Sequence, residues 1–105
     1  MAVMKSGPAN LLRGKESVGG KLELDGRALR FLPHKLNVQR SPVVLYVTDI
    51  KRLAPAWTKL FGVFPVAPNG LDVTMRNNEV WHFTVTGRKE WIREIEAVFD
   101  DTRVG

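Results

Sequence analysis

The chain has 105 residues, 44% hydrophobic and 26% charged, with 16 Lys/Arg, 11 Asp/Glu and no cysteine. That length supports one globular domain with a single core. The composition excludes disulfides, thiolate metal sites and any apolar run long enough to span a membrane. The net charge of +5 is unevenly distributed: residues 1–60 hold eleven Lys/Arg against four Asp/Glu, whereas residues 61–105 hold five against seven. Any attraction for phosphate therefore belongs to the first half, although solubility charge with a chance skew gives the same count.

Residues 1–8 read as a flexible N-terminus punctuated by Gly7-Pro8, residues 9–100 as one domain, and 101–105 as a flexible C-terminus. No secretory leader is written into the first twenty residues, so a cytoplasmic location is expected. Ala9–Arg13 is expected to be a short first strand, and Gly14–Gly20 a turn region.

Lys21-Leu22-Glu23-Leu24 alternates polar and apolar residues, and Asp25-Gly26 is a strong two-residue turn signal. With Arg27–Leu32 as the return strand, that turn sets Leu24 against Arg27, Leu22 against Leu29 and Gly20 against Phe31. On the opposite face it sets Glu23 against Ala28 and Lys21 against Arg30. Leu22, Leu24, Leu29 and Phe31 then share the core face.

Val43–Val47 reads as a strand with Val43, Leu45 and Val47 inward, and Ile50–Ala54 as another after a bend at Thr48-Asp49. Residues 55–68 carry aromatics, prolines and a glycine but no clean period. Leu71, Val73 and Met75 alternate with polar residues, as do Trp81, Phe83 and Val85. A two-residue Asn77-Asn78 turn would divide those two apolar sets between faces. A three-residue loop, Arg76-Asn77-Asn78, with an Asn in the left-handed region, unites them and pairs Val73 with Trp81 and Leu71 with Phe83. A helix is expected from about Gly87 to Phe99, capped by Thr86 or Gly87, with Trp91, Ile92, Ile95, Val98 and Phe99 on one stripe.

Gly20-Lys21-Leu22-Glu23-Leu24, the strand Arg27–Leu32, Asp49-Ile50, the aromatic strand Trp81–Val85 and the Trp91-Ile92 helix occur in an order that resembles GRAM domains of the pleckstrin-homology-like superfamily. The similarity covers roughly Ala9 to Phe99. It departs from the family at Asp25-Gly26, where a Thr-Asn type of turn is usual, and in the aromatic stretch 55–68. The resemblance implies a mainly β, barrel- or sandwich-like domain of about seven antiparallel strands in two packed sheets with one C-terminal amphipathic helix. It implies a binding module that performs no catalysis and needs no cofactor.

For catalysis, the residues themselves offer little. His34 and His82 are the only histidines, and His82 has no acidic residue at useful sequence spacing. No metal-ligand cluster is written into the chain. Gly14–Lys21 is superficially like a phosphate-binding loop, but Leu22 stands where Ser or Thr is needed and a strand follows instead of a helix.

Two surfaces are candidates. A Lys21–Arg30 pair on the hairpin's polar face would suit an anionic phosphate. Glu23, diagonal to Arg30, could instead neutralise it. The resemblance implies that an anionic lipid headgroup would be held by Lys15, Lys21 and Arg30 with Lys35 and Arg40 as a rim, placing the chain peripherally at a membrane. The second candidate is an interaction patch at Trp57, Phe61 and Phe64, which serves a protein or peptide partner, or self-association, if it is not buried in the core. An open sheet edge would serve the same purpose. Nucleic acid is disfavoured, because no stacking aromatics share the hairpin's polar face.

Overall fold

The computed structural model describes residues 3–13, 16–34, 42–60 and 64–104, and for 57–60, 64–67 and 100–104 it describes the backbone. Seven strands and one helix follow in chain order: β1 (Lys5–Arg13), β2 (Glu16–Leu24), β3 (Ala28–Pro33), β4 (Val43–Tyr46), a 3-10 turn (Val47–Asp49), β5 (Ile50–Leu60), β6 (Phe64–Met75), β7 (Val80–Val85) and α1 (Arg88–Val104). All neighbouring strands are antiparallel, in the order β4-β3-β2-β1-β7-β6-β5. The ladder is continuous and curls into a half-barrel. Phe31 on β3 and Phe83 on β7 sit with ring centroids 5.9 Å apart although β2 and β1 lie between their strands.

The curl encloses a core on its inner face. Leu22, Leu24, Leu29, Phe31, Leu71, Val73 and Phe83 are essentially inaccessible, and the α1 stripe of Trp91, Ile95 and Val98 closes over them. Gly20 shows how tight the inner face is. A β-carbon there would stand 2.4 Å from the Leu32 carbonyl oxygen and 2.7 Å from the Phe31 ring. At this position glycine is required by space.

Several strand boundaries move outward from the expectation. β1 starts at Lys5, and Gly7 and Pro8 pair with Leu22 and Lys21. Pairing with β7 begins at Ala9, so Pro8 sits where one side of the strand is open, as proline in a sheet requires. Glu16–Gly20, read as turn, are β2. The helix extends five residues beyond Phe99, and Gly87 before it has φ +72° and accepts the Trp91 N–H.

The stretch without a period also resolves. β5 and β6 continue as a two-stranded ribbon past Gly70–Thr84, the last β6–β7 pair toward that end. Register shifts fall at Ala56/Thr58 and Thr58/Lys59. Each irregularity resets which face a side chain takes, which erases the alternation from the sequence. Pro55 lies on the edge strand β5, and Pro65 and Pro68 on the part of β6 that β7 does not reach.

The β6–β7 connection has the expected odd length. Val73 pairs with Trp81 and Leu71 with Phe83, Met75 and Glu79 close the loop, and Asn78 takes the left-handed conformation at φ 74°.

The β2–β3 register requires a correction. Leu22 pairs with Phe31, Leu24 with Leu29, Glu23 with Arg30 and Lys21 with Leu32. The ladder is displaced by two residues, so the buried set is kept but the polar partners change. The cause is Asp25. Its N–H donates to the Ala28 carbonyl at 3.1 Å, while its Oδ1 accepts from Arg27 N (2.7 Å) and Ala28 N (2.9 Å). The tip is therefore Gly26-Arg27.

Candidate functional site

The polar face of the β2–β3 hairpin is an ion-pair set, and the expected side-by-side Lys21–Arg30 cradle does not form. Arg30 lies across from Glu23, and its guanidinium bonds the Asp25 carboxylate, whose side chain is 4% exposed. Lys21 reaches Glu23 at 3.0 Å. Two cations are thus matched by two carboxylates. Burial pushes the Asp25 carboxyl up, but the Arg30 hydrogen bond and the Arg27 and Ala28 N–H donors outweigh it and lower its pKa to about 2. The same bond raises the Arg30 pKa. Asp25 entered the sequence reading only as a turn former. Its carboxylate five residues before Arg30, together with the Asx turn, was the available signal.

The opposite end of the same sheet has a different character. Arg13 and Glu16 pair beside the β1–β2 connection, and His34 N donates to Gly19 O where β3 leaves for β4. Both connections therefore emerge on one end of the sheet, away from Asp25, and Arg13 and His34 are exposed there. Lys15, Lys35 and Arg40 fall in these connections and lie outside the described residues, as does Phe61. Trp57 and Phe64 belong by backbone to β5 and β6, and their side chains are outside the description.

β4 is the last strand on its side of the sheet, and among the described residues nothing pairs with its outer edge. Its neighbours are Tyr46 with Ala28, Leu45 with Leu29 and Val44 with Arg30. Val47 N donates to Arg27 O at 2.9 Å. The alternation of an antiparallel ladder then directs the main-chain groups of Leu45 and Val43 to β3, and those of Val44 and the Tyr46 N–H to the open edge, the Tyr46 carbonyl standing at the start of the 3-10 turn. The side chains of Val44 and Tyr46 are 41% and 55% exposed, while Leu45 is buried. The four residues carry no charge and no proline, the usual protections of a free edge.

Beside this edge lies a cleft of ≈ 360 Å³, with Val44, Leu45, Met75 and Trp81 in its wall and Asp49 and Arg76 among its rim residues. The rim is braced. Arg76 Nε donates to Thr48 O at 2.8 Å, Arg76 N to Asp49 O at 2.8 Å, and Lys51 Nζ to Asn78 Oδ1 at 3.2 Å. Trp81 Nε1 is buried with no acceptor. Alternation marked Val44 and Tyr46 as outward-facing in the sequence, but not that β4 ends the sheet.

His82 is not isolated from acids as its sequence neighbours suggest. Asp72 is its cross-strand partner, and His82 Nδ1 lies 2.7 Å from Asp72 Oδ1 on the exposed face. Among the described residues, no three or more His, Cys, Asp or Glu side chains gather as a metal site would require. No described helix is long and apolar enough to cross a membrane.

No family model matches this chain, and no curated protein matches it either. Solved structures do. The C-terminal domain of an unknown protein from Leishmania infantum aligns over 92% of this chain and 83% of its own, with TM-score 0.74 and 16% identity. The N-terminal PH domain of human ARAP2 aligns over 93% of this chain and 80% of its own, with TM-score 0.70 and 15% identity. Seven antiparallel strands curled into a half-barrel and closed by a C-terminal helix are thus a pleckstrin-homology-like fold.

Proposed function

We propose that this chain is a docking module that receives an extended polypeptide segment along the free edge of β4. The observation that carries the reading is the pair Val44 and Tyr46: both are exposed, and the Val44 main-chain groups and the Tyr46 N–H face the open edge. An added strand satisfies those groups and covers that apolar surface in one step. The fold supports a lipid- or protein-binding role in general, and the ordered Gly20–Leu24, Asp49-Ile50 and Trp91-Ile92 motifs support a GRAM-type branch of it. The reading contains no catalytic step.

Hydrogen exchange tests it. Titration with a displayed-peptide-derived binder is expected to protect the Val44 and Tyr46 amides, and a Val44→Pro substitution is expected to abolish binding. Proline at this position removes an N–H that faces away from β3 and leaves the internal ladder intact. Protection confined to other strands would defeat the reading.

A second reading, anionic headgroup docking, draws support from the emergence of both basic connections on one end of the sheet. It assigns the contact to Lys15, Lys35 and Arg40, with Lys21 and Arg30 contributing only if they leave Glu23 and Asp25. Flotation with phosphatidylserine vesicles tests it: binding that fails with neutral vesicles and falls with salt supports it, and no binding at low salt removes it.

A further inference from the structure

We infer that the cleft beside β4 is a side-chain pocket that selects an apolar residue of the docked segment, at the position opposite Leu45. The inference rests on the edge-docking reading and specifies the partner. In a sheet, residues directly opposite one another point to the same face. Leu45 points inward, so the segment's residue opposite it also turns inward, into the gap between β4 and the β6–β7 loop. The wall it meets is Leu45, Met75 and Trp81. The next residues along the segment turn outward beside Val44 and Tyr46.

The partner chemistry follows from this alternation. The inward position takes an aliphatic or aromatic side chain, since Leu45, Met75 and Trp81 form the apolar part of the wall it meets, while Asp49, Arg76 and Glu79 line the remainder. The two flanking positions take β-branched or aromatic residues that cover Val44 and Tyr46. The buried Trp81 Nε1 adds a second pointer. It is a donor without an acceptor, on a residue that lines the same cleft.

A second copy of the chain fits less well than a separate segment. Two copies bring net charges of +5 against each other, and β4 offers only four residues for the shared ladder before Asp49 and the 3-10 turn end it.

The test is selection of linear ten-residue peptides from a random displayed library against the whole chain, followed by NMR. The selected sequences should share one apolar position, and replacing it with Asp should weaken binding at least tenfold. The Met75 methyl and Trp81 indole N–H signals should shift on binding. If peptides bind and Val44→Pro abolishes binding, yet Asp is tolerated at every position or the Met75 and Trp81 signals stay fixed, the pocket is refuted while edge docking stands. If no peptide is selected, or if Val44→Pro leaves binding unchanged, edge docking fails and the pocket fails with it.

Discussion

The β2–β3 hairpin and the β4 edge lie side by side on one sheet, yet they treat their polar valence in opposite ways. The hairpin is rich in charge, and on its polar face that charge is spent internally, Arg30 on Asp25 and Lys21 on Glu23, while Arg27 is exposed at the tip. β4 has no charged side chain at all, yet the Val44 main-chain groups and the Tyr46 N–H face outward, with no strand beyond them among the described residues. Counting cations locates charge, but only the pairing shows which groups are free to meet a ligand. The quieter segment is the better candidate for recognition.

That contrast can be broken or sharpened by experiment. The largest effect is expected at Asp25. Asp25→Ala removes the acceptor of three donors, two of them main-chain N–H groups at the hairpin tip, and it should cost about 2–4 kcal/mol in urea-melt stability. A loss below about 1 kcal/mol would mean that the hairpin charges are not committed and could serve a ligand. Gly20→Ala comes next. Its β-carbon cannot avoid the Leu32 carbonyl, so about 1–3 kcal/mol should be lost with no change in charge.

Acid should act through the same carboxylate. The folded-state pKa of Asp25, about 2, lies below its unfolded value, so its contribution is complete above about pH 4 and is lost as pH falls toward 2. About 2 kcal/mol should disappear across that window in the parent chain. Asp25→Asn should flatten that part of the profile, and parallel acid profiles for the two would reject the assignment.

The smallest effect is expected at Lys21. Its ion pair is exposed, so Lys21→Ala should change stability by no more than about 0.5 kcal/mol. The same substitution should leave peptide docking on β4 unchanged, as measured by titration. A tenfold loss of peptide affinity would move the docking surface onto the hairpin and reverse the comparison.

Much of the frame is legible in the sequence. The inward set Leu22, Leu24, Leu29 and Phe31 survived a register error because the displacement was by two residues, and a strand repeats its faces every two. The β6–β7 loop is legible because parity allows only an odd connection, and an asparagine stands ready for the left-handed position. The α1 stripe is legible because Trp91, Ile95 and Val98 follow the helical repeat. The ribbon over 55–60 and 64–68 is not, because its bulges destroy the alternation on which such a reading depends.

The site was less accessible, and the reason is the range of the interactions that make it. Alternation, turn chemistry and helical spacing are local, so the sequence by itself determined which side of each strand and helix is apolar. Which strand ends the sheet, which carboxylate meets Arg30, and that Asp72 faces His82 across ten residues are decided by who becomes whose neighbour. Only the curl of the seven strands leaves β4 without an outer partner among the described residues and opens a cleft between Leu45 and Trp81.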